Sequence, residues 1–275
     1  MKYTLIIRIA ICLLLYFLFI VSSFGINPIR EYSMRPERFE LAYLEKKVTT
    51  FDGYELNSWI IKGIGSNPSD VLFVVVNSDA GNMGYVLPYA AGLAKKGFPV
   101  VTFDYRGFGE SSDFKHNPNN FYHDEYITDF KSILSWVRTE MCPRKIAILS
   151  FSMGTLIATS TYEDNAFDYF VGEGFISSPT EVVQRIKETK GKNLTLPEDS
   201  EDYQDQLDKM KVPILLFGNR YDQITPLEES QDFASKLPNR KVIEYEFEGD
   251  RLRGAQTLGL DQYIGQIYEF IEHNN

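Results

Sequence analysis

Histidine and cysteine are both scarce in this chain, and their scarcity limits the chemistry it can carry. The 275 residues include 3 histidines and 2 cysteines. Neither a CxxC pair nor an HExxH motif occurs, so we expect no metal and no cofactor. Cys12 lies in an apolar run and Cys142 follows a predicted helix. No disulfide between them is expected, and cysteine usage therefore does not define the cellular compartment.

An excess of positive charge is also missing. The chain has 28 basic and 38 acidic residues, which give a net charge of −10 at pH 7. A surface of this sign repels the phosphate backbone of nucleic acids, so nucleic acid is not an expected partner. Hydrophobic residues make up 44% of the chain and charged residues 24%, a composition typical of a folded protein.

One long apolar run is present near the N-terminus. Every residue from 9 to 21 is apolar or aromatic, and the segment 5–24 contains a single arginine. A segment of this length can be an uncleaved membrane anchor, the interpretation we favour, since it is long for a signal peptide. Alternatively, Val21 and Ser23 precede a cleavage site and the protein is secreted or periplasmic. Basic residues flank the run on both sides, so the orientation of the anchor stays open.

The rest of the chain divides into a connector and one domain. Residues 1–25 form the anchor or signal peptide, and residues 26–42 are polar, contain proline and are predicted to be a linker. Residues 43–275 are predicted to form a single α/β domain, because short apolar runs alternate with segments of helical periodicity. Within this domain, the charged stretch at about 178–211 is predicted to be a small cap over the sheet's carboxyl edge.

Particular strands and helices follow from the apolar pattern. Segments 44–50 and 55–61 are predicted to pair as antiparallel strands around the turn Asp52-Gly53. The other predicted strands are 71–76, 99–103, 145–149, 169–176, 212–217 and 241–247. The predicted helices are 86–96, 122–140, 227–237 and 261–273. This alternation predicts a mostly parallel sheet with right-handed crossovers.

A pentapeptide in the middle of the chain carries the strongest chemical signal. Ser150-Phe151-Ser152-Met153-Gly154 follows the apolar run 145–149 and precedes a segment with helical spacing. A strand, a tight turn with serine at its apex and then a helix are typical of a nucleophile elbow. Ser150 stands where glycine is usual, but it is also small. Ser152 is therefore the candidate nucleophile.

Several motifs together resemble those of α/β-hydrolases of the serine aminopeptidase and Bem46-like type. The motifs are Phe103-Asp104-Tyr105-Arg106-Gly107-Phe108-Gly109-Glu110-Ser111-Ser112, Ala80-Gly81-Asn82 and Gly218-Asn219-Arg220-Tyr221-Asp222-Gln223-Ile224-Thr225-Pro226. The resemblance covers about residues 43–272. It implies an α/β-hydrolase fold, with a mostly parallel sheet, helices on both faces and a small cap, here preceded by an N-terminal apolar helix.

The same resemblance assigns roles to individual residues. It implies that Ser152 is the nucleophile and Asp222 the acid of a catalytic triad, and that a small acyl compound is the substrate or ligand. The oxyanion hole would use the backbone of Met153 and of Asp79. The family's His-Gly is replaced by Asn77-Ser78, and the carboxylate of Asp79 would oppose a developing negative charge unless it turned to solvent.

The triad histidine, however, is missing from its expected place. The family's histidine should lie in the segment 248–256, which contains none. Leu252 or Arg253 occupies the equivalent position, depending on how the loop is counted. Leucine has no proton chemistry, and arginine remains protonated and only donates hydrogen bonds. We expect Arg251 or Arg253 to form an ion pair with Asp222 in place of the histidine.

Three functions remain open from the sequence. The favoured one is a catalytically impaired hydrolase homologue that binds a ligand at the membrane. The second is an active ester or amide hydrolase whose base is His116, His123 or a water molecule held by Asp222. The third is a structural domain whose pocket has no function.

Overall fold

The structure is a computed structural model. It describes residues 25–65, 69–162, 166–197, 202–249 and 251–275. The predicted anchor or signal peptide lies outside these ranges. Within them, every helix is too short or too polar to cross a bilayer.

The strands form one large sheet and one small ladder. In chain order they are β1 (Asn27–Pro28), β2 (Tyr43–Thr49), β3 (Glu55–Ile61), β4 (Val71–Val76), β5 (Ala80–Gly81), β6 (Val100–Phe103), β7 (Lys145–Phe151), β8 (Tyr169–Glu173), β9 (Ile214–Asn219) and β10 (Arg240–Tyr245). The large sheet has the order β10-β9-β8-β7-β4-β6-β3-β2. Its pairings are parallel from β10 to β6 and antiparallel at β3 and β2.

Helices connect most of the parallel strands. They are α1 (Leu87–Lys95), α2 (Asp124–Trp136), α3 (Met153–Ser160), α4 (Pro179–Lys190), α5 (Tyr203–Lys209), α6 (Leu227–Ser235), α7 (Gly254–Leu258) and α8 (Leu260–Asn274). Short 3₁₀ helices cover Pro36–Phe39 and Met83–Val86, and a π-helical turn, Val137–Met141, extends α2. The predicted α/β architecture is confirmed, and the predicted cap contains α4 and α5.

The core lies on both faces of the large sheet. All six residues of β4 are buried, as expected for a central parallel strand. Successive side chains of a strand point to opposite faces, and Phe73 and Val74 accordingly belong to two different hydrophobic clusters. The carboxyl ends of β4, β7, β8 and β9 consequently meet at one edge, and the loops at this edge are held by a packed scaffold.

The segment predicted to be a linker is packed onto the domain. Strand β1 pairs in parallel with β5, and the side chains of Ile26 and Leu41 are buried. The Tyr32 hydroxyl donates a hydrogen bond to the buried carboxylate of Asp104, at 2.5 Å. Scattered apolar side chains, main-chain pairing and the Tyr32 hydroxyl together provide this docking, which the polar composition of the segment did not predict.

Two polar residues of the 103–112 motif support the loops around the site. Asp104 also accepts a hydrogen bond from the backbone N–H of Met83, at 2.6 Å, and so holds the loop that follows β5. The guanidinium of Arg106 is buried and contacts the carboxylates of Asp129 and Asp52, at 2.6 and 2.7 Å. Both residues therefore have a structural role.

The buried carboxyl of Asp104 predicts a pH dependence of stability. Burial raises its pKa to about 7, against hydrogen bonds from Tyr32 and Met83 that lower it. A folded-state pKa above the unfolded value gives stability that is complete below about pH 4 and is lost as the pH rises through 7. We expect the free energy of unfolding of the natural chain to fall over this window, relative to Asp104→Asn, by up to ~4 kcal/mol.

Urea denaturation of both proteins between pH 4 and 8 measures this difference. Asp70→Asn is the matched control, since the Asp70 side chain is 66% exposed and pairs only at the surface with Arg144. Parallel stability curves for the natural chain and Asp104→Asn would contradict the prediction.

Candidate active site

Ser152 lies at the apex of a sharp turn between β7 and α3. Its backbone has φ 49° and ψ −118°, a strained conformation for a residue with a side chain, and it is 1% exposed. Gly154 lies so close to β4 that a Cβ atom there would be 2.4 Å from the carbonyl oxygen of Val76. The geometry is that of a nucleophile elbow, as the pentapeptide predicted.

Neighbouring main chain fixes the elbow from both sides. The N–H of Ser152 donates to the carbonyl of Glu173 at the end of β8, at 2.9 Å. The hydroxyl of Ser150, at the usual glycine position, donates to the carbonyl of Val171 at 3.0 Å. Serine is therefore accommodated there without opening the turn.

The side chain that meets the nucleophile is an arginine. Nη2 of Arg251 donates a hydrogen bond to Oγ of Ser152, and Arg251 is 9% exposed. The sequence had placed Leu252 or Arg253 at the equivalent position. Leu252 instead lies against Gly174, and Arg253 donates to Gln256 at 3.1 Å. The loop residue that reaches the serine thus lies one position earlier than the pair named from the sequence.

A guanidinium beside Ser152 cannot act as the general base, which is the role of histidine in a catalytic triad. Arginine offers five N–H donors and no acceptor, and it stays protonated in proteins. The bond from Arg251 therefore occupies a lone pair of Oγ and provides no place for the hydroxyl proton to go. Ser152 is held in position as a hydrogen-bond acceptor.

Asp79 lies inside the site and is not turned to solvent. It is 8% exposed, and its Oδ2 accepts a hydrogen bond from the N–H of Gly25 at 3.1 Å. Burial raises the pKa of its carboxyl, while the positive charge of Arg251 acts in the opposite direction. The two side chains belong to one buried electrostatic cluster beside the nucleophile. Arg251 favours the charged form of Asp79. Asp79 lies on the loop after β4, residues 77–82, which is called the oxyanion loop below because the sequence predicts an oxyanion donor there.

The expected oxyanion donors lie on different elements. Met153 is the first residue of α3, and the first N–H groups of a helix have no partner within the helix. On the loop after β4, the N–H of Ser78 donates to Oδ1 of its neighbour Asn77 at 2.9 Å. The backbone of this loop is therefore bonded to a polar side chain of the loop itself.

Asp222 is held by the loop that follows β9. Its Oδ1 accepts hydrogen bonds from the N–H groups of Ile224 and Thr225, at 2.8 and 2.9 Å. Its Oδ2 accepts one from the hydroxyl of Thr225 at 2.5 Å. The expected ion pair between Asp222 and an arginine stays a prediction. Arg251 donates to Ser152, and Thr225 and the backbone provide the hydrogen bonds described for the carboxylate.

The two histidines proposed as substitute bases are engaged elsewhere. Nδ1 of His116 lies 2.7 Å from the hydroxyl of Tyr126, and Nε2 of His123 accepts a hydrogen bond from the N–H of Asn117 at 3.1 Å. Both rings pack in an aromatic cluster with Phe114. Among the described contacts, neither imidazole meets Ser152.

Glu173 is a site residue that sequence reasoning missed. It ends β8, is fully buried, and accepts hydrogen bonds from Tyr245 and from the N–H of Gly254, at 2.8 and 2.7 Å. Its second oxygen accepts one from Tyr263 at 3.1 Å. The Tyr245 hydroxyl also lies 2.5 Å from the carbonyl oxygen of Arg251, so its one proton is shared between that carbonyl and Glu173, and the two side chains together hold the loop that presents the guanidinium. The sequence feature that could have identified it is a glutamate at the end of an apolar strand.

The described residues offer no group of three or more histidine, cysteine or acidic side chains placed to hold a metal ion. The chemistry of the site rests on Ser152, Arg251, Asp79 and the N–H groups at the start of α3.

The sheet order and the nucleophile elbow are those of the α/β-hydrolase fold. A family model described as alpha/beta hydrolase fold matches residues 71–168, which contain β4, the 103–112 motif and the elbow.

Similar proteins cover most of this chain. The chain is 22% identical over 230 residues to the uncharacterized protein YfhR of Escherichia coli (strain K12), covering 81% of this chain and 78% of that one. YfhR of Salmonella typhi is likewise 22% identical over 240 residues, with 82% and 80% covered.

Solved structures include esterases. The Pyrococcus furiosus esterase Pf2001 is similar with a TM-score of 0.72 and 21% identity, covering 90% of this chain and 98% of that one. Est1E from Butyrivibrio proteoclasticus, solved with ferulic acid bound, has a TM-score of 0.65 and 17% identity, with 83% and 98% covered. At these identities the structural likeness shows the fold.

Proposed function

We propose that this protein is a membrane-associated α/β-hydrolase homologue of the serine aminopeptidase and Bem46-like type. In this proposal it binds an acyl compound at Ser152 and has lost hydrolytic turnover. The observation that carries the proposal is the hydrogen bond from Arg251 to Oγ of Ser152. General-base catalysis requires a group that takes the serine proton, and a guanidinium cannot do so.

Binding is supported by donors that surround the nucleophile. The guanidinium of Arg251 and the N–H groups at the start of α3 are placed next to Ser152. Charge-assisted donors and helix N-termini favour the oxygen atoms of carbonyl and carboxylate groups. In an active hydrolase these donors would stabilise the oxyanion of the transition state. Here they would bind the unreacted ligand.

Loss of turnover can be tested directly on the purified chain. We expect a fluorophosphonate probe to leave Ser152 unmodified, and p-nitrophenyl ester hydrolysis to equal that of Ser152→Ala. Loss of a triad base costs up to ~10⁶ in turnover, which leaves no detectable reaction of the serine. Mass spectrometry of the probe-treated protein and initial hydrolysis rates measure the two outcomes. Stoichiometric modification of Ser152 would contradict the proposal.

The competing function is an active ester or amide hydrolase with a non-standard base. The strained elbow at Ser152 and the likeness to solved esterases favour it. The contacts of His116 and His123 argue against either ring as that base. Probe labelling of the natural chain together with ester turnover above the Ser152→Ala level would establish this alternative.

Membrane association is proposed from the sequence of residues 1–24. The apolar run 9–21 suits a single N-terminal anchor, with secretion after cleavage as the alternative localisation. We expect the full chain to float with neutral phosphatidylcholine vesicles in a density gradient. Leu14→Asp combined with Leu18→Asp should leave it at the bottom, because each acidic residue opposes insertion by roughly 3 kcal/mol. Flotation of both proteins alike would contradict an anchor in this segment.

A further inference from the structure

The N-terminal connector joins the domain at the candidate active site. The N–H of Gly25 donates to the carboxylate of Asp79, at 3.1 Å, and the N–H of Asn27 donates to the carbonyl of the same residue, at 2.8 Å. Further along, the N–H of Ile29 donates to Gly81 at 2.9 Å. Two carbonyls of the connector, those of Ile29 and Glu31, accept hydrogen bonds from the amide of Asn82. The connector is thus attached along the oxyanion loop.

Gly25 lies where three loops of the site edge converge. A Cβ atom at this position would lie 2.8 Å from Nζ of Lys192, 3.1 Å from the carbonyl oxygen of Pro118 and 3.3 Å from Leu194. Lys192 and Leu194 belong to the cap, and Asp79 belongs to the oxyanion loop. With φ of +102°, Gly25 has a backbone conformation that residues with side chains rarely adopt. The chain therefore enters the domain between the cap and the oxyanion loop.

Chain length limits how far this entry point can be from the apolar run. Three residues, Ser22, Ser23 and Phe24, separate the end of the run at Val21 from Gly25. The four residue steps from Val21 to Gly25 span at most roughly 14 Å when fully extended. An anchor formed by the run would keep the Asp79 side of the site within about this distance of the bilayer surface.

We infer that the sheet edge carrying Ser152 and Asp79 faces the bilayer that holds the N-terminal anchor, and that the ligand of this site is an acyl lipid entering from that bilayer. This inference rests on the membrane association proposed above and adds the direction of the site and the source of its ligand. A water-soluble acyl compound would instead have to reach a sheet edge that the anchor holds against the membrane.

Exposed apolar side chains at the same edge fit a position at the bilayer surface. Tyr85 is 48% exposed and its ring lies over Gly81 of the oxyanion loop. Ile29 on the connector is 36% exposed, and Tyr221, beside Asp222, is 48% exposed. Tyrosine rings are enriched at membrane interfaces because one end is apolar and the other is polar.

A fluorophore at each edge of the sheet tests the orientation. The full chain with Cys12→Ser and Cys142→Ser receives a single cysteine, either Tyr85→Cys at the site edge or Ile64→Cys at the opposite edge. Ile64 is a matched control, since it is 52% exposed and follows the far end of β3. In phosphatidylcholine vesicles with nitroxide-labelled headgroups, we expect quenching of the label at 85 and none at 64. Equal quenching, or quenching at 64 alone, would overturn the inference.

A spacer separates the effect of the connector from that of the anchor. Roughly ten Gly/Ser residues inserted between Phe24 and Gly25 add about 18 Å of average reach. We expect the spacer variant to float with vesicles as before and to lose most of the quenching at position 85. Undiminished quenching would show that the site edge is held at the membrane by something other than the connector.

Crosslinking tests the source of the ligand. Photoactivatable phosphatidylcholine in the vesicles should form adducts on the cap and oxyanion-loop peptides of the full chain, and most of these adducts should be lost in the spacer variant. Adducts confined to residues 1–24 would overturn the assignment of an acyl lipid.

Failure to float would remove both the proposed membrane association and this inference, whereas reactivity of Ser152 towards fluorophosphonate bears only on the proposed loss of turnover.

Discussion

Arg251→His is expected to make Ser152 reactive. An imidazole at position 251 replaces the donor-only group beside Oγ with one that accepts a proton, directly or through one water molecule. The imidazole is shorter than the arginine side chain, and the space released beside the serine admits that water. General-base catalysis contributes ~10²–10⁴-fold. We expect fluorophosphonate to modify the variant at least ~10²-fold faster than the natural chain.

Matched variants separate base catalysis from simple removal of the arginine. Arg253→His adds the same imidazole to the same loop, but Arg253 is directed at Gln256, so no gain is expected. Arg251→Gln removes the positive charge without adding a base and should also remain unreactive. A gain in Arg251→Gln equal to that in Arg251→His would mean that the guanidinium blocks an otherwise competent serine. Rates from stopped labelling reactions, followed by mass spectrometry, decide between these outcomes.

The sequence predicted the scaffold well because the scaffold follows repeating physical patterns. The six apolar residues of β4 match a strand buried on both faces, and its predicted bounds agree with the structure. The elbow was predictable since a serine and a small residue two positions later, between strand and helix, have few other uses. The hairpin of β2 and β3 followed from the turn Asp52-Gly53 between two strand-like segments.

Loop contacts were harder to predict because they depend on three-dimensional proximity. Arg251 and Ser152 are 99 positions apart, and nothing in the periodicity of either segment indicates that their side chains meet. A shift of one residue in an irregular loop decides whether Arg251, Leu252 or Arg253 faces the nucleophile. The docking of the connector on Asp79 could not be predicted for the same reason, because backbone hydrogen bonds do not depend on side-chain composition.

Glu173→Leu is expected to destabilise the protein and to release the loop that carries Arg251. The buried carboxylate of Glu173 accepts hydrogen bonds from Tyr245, Gly254 and Tyr263. Leucine accepts none of them. Tyr245 can still donate to the carbonyl of Arg251, but the Gly254 N–H and the Tyr263 hydroxyl lose their acceptor, at about 1–3 kcal/mol each. We therefore expect the free energy of unfolding to fall by ~3 kcal/mol or more, as measured by urea denaturation.

Glu173→Gln distinguishes loss of acceptors from loss of charge. The amide keeps one acceptor oxygen and almost the same shape, so a loss of ~1 kcal/mol is expected. Hydrogen exchange of the Gly254 amide should accelerate strongly in Glu173→Leu and little in Glu173→Gln, because that N–H is bonded to the carboxylate. Equal destabilisation by the two variants would mean that the negative charge, acting on the neighbouring arginines, holds this loop beside the nucleophile. If only Glu173→Leu accelerates exchange of the Gly254 amide, the hydrogen bonds accepted by Glu173, and not its charge, hold the loop.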